Sequence, residues 1–142
     1  GEYEVNNIPI QSHAIRLNTE NLDESANIYS VISEGMTICF LNEISKITIP
    51  ANITESIGKI DILVCLSDDS SDKSVESINS LLSGLDPKIL IIAEKNSNHD
   101  TSEIYQKLIK GLGHSSEDSV INANITKSGI SDALKVVNLR KS

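Results

Sequence analysis

The chain has 142 residues, enough for one domain with a sizeable core. Its hydrophobic content of 39% comes with one Phe, three Tyr and no Trp, so that core must be aliphatic. Twenty acidic against 12 basic residues give a formal charge of −8, which excludes a phosphate-tracking nucleic-acid surface; the only locally basic stretch is the tail from Lys135 to Lys141.

From the start, Tyr3, Val5, Ile8 and Ile10 alternate loosely, and Asn6-Asn7 is a turn signal. Residues 1–16 therefore read as two short strands in a hairpin. A polar stretch from Asn18 to Ser25 reads as a loop. Ala26 to Ser33 is a third strand, and Glu34-Gly35 turns it into a fourth that ends Ile38-Cys39-Phe40-Leu41. Pro50 should end an extended stretch, with Thr54 to Gly58 forming one helical turn stopped by Gly58.

The second half changes character. Lys59 to Leu66 is almost continuously apolar, as expected of a strand buried on both faces. After a Ser/Asp loop, Ser71 or Asp72 can cap a helix over about Lys73 to Leu85, with Val75, Ile78, Leu81 and Leu82 at helical spacing. Lys88 to Ala93 repeats the buried-strand pattern. Thr101 then caps a second helix carrying Ile104, Leu108 and Ile109, ended by Gly111 and Gly113. Ser119 to Asn124 and Lys135 to Leu139 read as two closing strands, with Ser128 to Asp132 as a turn between them. A hairpin region followed by strand–helix–strand–helix predicts an α/β layered domain over residues 1–142.

Cys39 and Cys65 sit inside apolar strand patterns and read as buried free thiols in a reducing compartment. Neither a secretory leader pattern nor an apolar run of the ~20 residues that span a bilayer occurs in the chain, so no membrane partner and a cytoplasmic location are expected. The start at Gly1-Glu2-Tyr3, without an initiating Met, reads as a processed product or a fragment.

Local signatures of catalysis are missing. His13, His99 and His114 form neither His-x-His nor an i, i+4 pair, so they do not make a zinc site by themselves. The loop Ser67-Asp68-Asp69-Ser70-Ser71-Asp72 has three acids but not the spacing of an EF-hand, and reads as a solvated loop that caps a helix. Gly-x-Ser-x-Gly and the Gly-rich phosphate-binding fingerprints are absent, and Cys65 has no placed base.

Five blocks in order are Gly1-Glu2-Tyr3-Glu4-Val5, Ile38-Cys39-Phe40-Leu41-Asn42-Glu43, Ile60-Asp61-Ile62-Leu63, Asp86-Pro87-Lys88-Ile89 and Lys135-Val136-Val137-Asn138-Leu139. Together they resemble the second half of small metal-dependent hydrolases of the metallo-β-lactamase-like fold. The resemblance implies an αβ/βα sandwich with metals at one edge between its two sheets. It also implies an N-terminal part, with the His-x-His-x-Asp-His motif, that would precede Gly1. The strand through Cys39 should close His-Leu-Gly-Asp, but this chain has Phe40-Leu41-Asn42-Glu43. The strand after Pro87 should end Pro-Met-His, but here it reads Ile92-Ala93-Glu94. A further histidine of the family falls near Leu17 and is missing.

Glu43 and Glu94 thus stand at degenerate metal positions. Two carboxylates shift preference from zinc toward hard cations such as Mg²⁺ or Mn²⁺, and the extra methylene of Glu43 displaces its oxygen by roughly 1.5 Å. Fewer than three convergent ligands leave a bound water without the acidity that hydrolysis needs. The resemblance with these departures implies a non-catalytic domain with no metal, or at most a divalent ion. Its role would be protein binding or assembly, with a protein partner or a second copy covering an apolar sheet face. The alternative is the C-terminal part of a hydrolase whose remaining ligands lie upstream, with Glu43 and Glu94 contributing.

Overall fold

A computed structural model describes residues 2–16, 25–42, 49–67, 72–94, 105–107, 109–110, 123–130 and 134–139. Seven strands form one sheet in sequential order: β1 Glu2–Val5, β2 Ile8–Arg16, β3 Ser25–Ser33, β4 Met36–Leu41, β5 Ile62–Ser67, β6 Ile89–Glu94 and β7 Lys135–Leu139. The first four make an antiparallel meander, and β4 to β7 run parallel. The architecture is the expected α/β layering, with all the described strands in a single sheet.

The meander is dictated by its turns. Asn6 and Asn7 have φ of 51° and 66°, and Glu34 and Gly35 have 52° and 77°. Two consecutive positive φ values make the tight turn whose twist matches the flanking strands, which is why Asn and Gly recur there. At Gly35 space matters as well, because an added Cβ would lie 3.2 Å from Lys127 Nζ.

The parallel half depends on helical crossovers. Helix α1 spans Ala51–Ile57, three residues earlier than Thr54. Pro50 sits just before it in extended geometry, and its carbonyl accepts from the N–H groups of Ile53 and Thr54. Proline lacks an N–H to lose and therefore starts the helix as readily as it ends a strand. Gly58 stops it at φ 74°, donating to the Thr54 carbonyl. Helix α2 spans Asp72–Leu85; Asp86 then takes φ 47° and donates to the Leu82 carbonyl, and Pro87 prevents continuation. Helical backbone recurs at 105–107 and 109–110.

One face of the sheet carries the main core. Ile28, Cys39, Leu41, Leu63, Cys65, Leu90, Ile92 and Val136 are buried against Ile78, Leu81 and Leu85 of α2 and against Tyr105 and Ile109. Ile53 and Ile57 of α1 pack at its margin. The other face holds a smaller cluster of Met36, Ile62, Ile89 and Ile91, with Ile125 and Ile130 packed against it from a strap that contains the 3-10 turn Lys127–Gly129. Both faces of the central strands are therefore apolar, which explains the near-continuous hydrophobic runs of β5 and β6.

Further boundaries differ from the sequence reading; β3 starts at Ser25 and β6 spans Ile89–Glu94, each one residue off. Strand β5 begins at Ile62 rather than Lys59, because Asp61 is used to tie neighbouring strands together. Its N–H donates to the Thr37 carbonyl at 3.0 Å, its carboxylate accepts from Thr37 N–H at 2.9 Å, and its carbonyl accepts from Lys88 and Ile89. Ala123 and Asn124 are not in a strand, and the rest of the predicted Ser119–Asn124 strand lies outside the described residues. Helix α2 starts at Asp72, one residue before Lys73; Ser71 and the Thr101 cap lie outside the described residues.

Candidate functional site

Strand direction fixes where side chains can converge. β2 and β4 to β7 all point the same way, so their carboxyl ends share one edge of the sheet. In open α/β sheets ligands gather at this edge. β4 ends at Leu41, β5 at Ser67, β6 at Glu94 and β7 at Leu139. The register sets Glu94, the last residue of β6, opposite Ser67 at this edge. Glu43, Asp68 to Ser71, His99 and His114 lie outside the described residues.

At the level below the edge the sheet carries His13, Ile28, Leu41, Cys65, Ile92 and Asn138. His13 lies on β2, as expected, and is partly buried; its Nε2 is buried and has no hydrogen-bond partner among the described residues. Asn138 is buried and has a polar partner. This level is otherwise aliphatic, so it packs as core.

The cysteines are free and buried, as their strand context implied. Burial pushes both thiols up to about 12, with Cys65 raised further by the nearby Cys39. Burial thus keeps both thiols protonated near neutral pH, which makes them poor nucleophiles. Among the described residues no group of three or more His, Cys, Asp and Glu could hold a metal ion. The described donors thus do not fit a zinc centre, which requires three or four convergent ligands.

A different feature stands out on the face opposite the helices. Alternation places Val5, Ile8, Ile10, Tyr29, Val31, Ile38, Phe40, Val64, Val137 and Leu139 there. The strap covers the part over Met36, Ile62, Ile89 and Ile91. Beyond it, Val5 is 51% exposed, Ile8 36%, Tyr29 39% and Phe40 38%, and Tyr29 and Phe40 are directly opposed across β3 and β4. Of five large exposed hydrophobics among the described residues, only Ile32 is on the helix-bearing face. Although the chain has 20 acidic residues, β1 to β7 place no acidic residue on this open face. The signal was in the sequence: β3 and β4 alternate apolar residues on both faces, and the helices can cover only one.

No protein-family model matches the chain, and no curated protein does either. Among solved structures it is similar to a protein from Thermotoga maritima described as a Zn-dependent hydrolase of the metallo-β-lactamase superfamily. The match has a TM-score of 0.68 at 19% identity and covers 100% of this chain and 70% of that one. The fold is therefore metallo-β-lactamase-like, in agreement with the resemblance carried by the five sequence blocks. At this identity the likeness defines the fold and not the chemistry. No described helix is long and apolar enough to cross a membrane.

Proposed function

We propose that the chain is a non-catalytic metallo-β-lactamase-like domain that acts in protein binding or assembly. The observation that carries this reading is the open sheet face, where two cross-strand pairs, Val5 with Ile8 and Tyr29 with Phe40, are exposed on either side of the half-buried Ile10, Val31 and Ile38, with no acidic residue on its strands. Monomers rarely leave a contiguous apolar patch of more than a few hundred Å² in water, and such patches mark interaction sites. The catalytic side offers little by contrast. Glu94 stands where the family resemblance calls for His, and no ligand group assembles among the described residues.

The binding surface is the antiparallel half of the open face, and its partner is another protein or a second copy of the chain. Exchanging Tyr29 and Phe40 for Lys tests this. Both side chains are already more than a third exposed, so the fold should survive while association is lost. Analytical ultracentrifugation of protein from its native source should find an assembly that the double variant, expressed in the same cells, fails to form. A monodisperse monomer for the unaltered protein, or an assembly indifferent to both substitutions, would overturn the reading.

The alternative reading is the C-terminal part of a hydrolase with Glu43 and Glu94 among its metal ligands. It is favoured by the position of Glu94 at the carboxyl edge of the sheet, opposite Ser67. It requires stoichiometric metal that depends on Glu94.

A further inference from the structure

We draw no further inference here: the strongest candidate, the exposed apolar patch on the open face of β1 to β4 around Val5, Ile8, Tyr29 and Phe40, already carries the proposed function, and nothing in the structure shows which protein surface covers it.

Discussion

Asp61 offers the sharpest energetic test of how the parallel half is held together. Its carboxylate accepts the Thr37 N–H at 2.9 Å, while its backbone joins Thr37 on one side and Lys88 and Ile89 on the other. Asp61→Ala removes only the side-chain acceptor and leaves the backbone links in place. The Thr37 N–H, partly shielded from water, then loses its partner. An unpaired buried donor costs about 1–3 kcal/mol, and bonds to charged groups lie at the upper end. A loss of about 2 kcal/mol lowers Tm by roughly 4–8 °C for a chain of this size. Asp61→Asn retains an acceptor oxygen and should lose no more than about 1 kcal/mol. Urea unfolding and a thermal melt of the three proteins read this difference directly. Equal stability of the Ala and Asn variants, or an Ala variant within about 0.5 kcal/mol of the parent, would refute the argument.

Three other predictions rest on named positions. Gly35→Ala forces a β-carbon into φ 77° and toward Lys127 Nζ, so stability should fall by about 1–2 kcal/mol in denaturant titration; Gly35→Asn should be milder, since Asn tolerates this conformation. Cys39 and Cys65 should resist alkylation in the native protein at pH 8 and react fully, as two thiols, once it is unfolded. Their acidity also gives a pH dependence. A thiol raised to about 12 keeps its proton in the folded state while the unfolded thiol gives it up, so stability falls as pH rises from about 9 to 12. The slope is at most about 1.4 kcal/mol per pH unit for each thiol, and a Cys39→Ala/Cys65→Ala variant should show a flatter alkaline limb.

Much of the fold could be read from the residues because local rules and tertiary structure agree. Asn6-Asn7 and Glu34-Gly35 announce their turns, and Val75, Ile78, Leu81 and Leu82 mark the buried side of α2. The limits are equally physical. Pro50 serves two roles with one geometry, so the sequence alone did not say that α1 starts right behind it. Asp61 looks like an ordinary polar residue opening an apolar strand until its tie to Thr37, 24 residues away, is visible. The Ile125–Ile130 strap has no periodicity to betray it, since only its two isoleucines meet the sheet cluster. Glu94 closes β6 opposite Ser67, and the exposed pairing of Tyr29 with Phe40 depends on strand register and was visible only as excess apolar alternation.

The claim that this metallo-β-lactamase-like fold has no metal chemistry is tested most directly by elemental mass spectrometry of the protein purified from its native source without chelators. A non-catalytic domain should carry far less than one equivalent of zinc, manganese or magnesium when folded, with no difference between the parent and Glu94→Gln. One or two equivalents of zinc or manganese in the parent, lost in Glu94→Gln, would contradict it and establish the carboxyl edge of the sheet as a working metal centre.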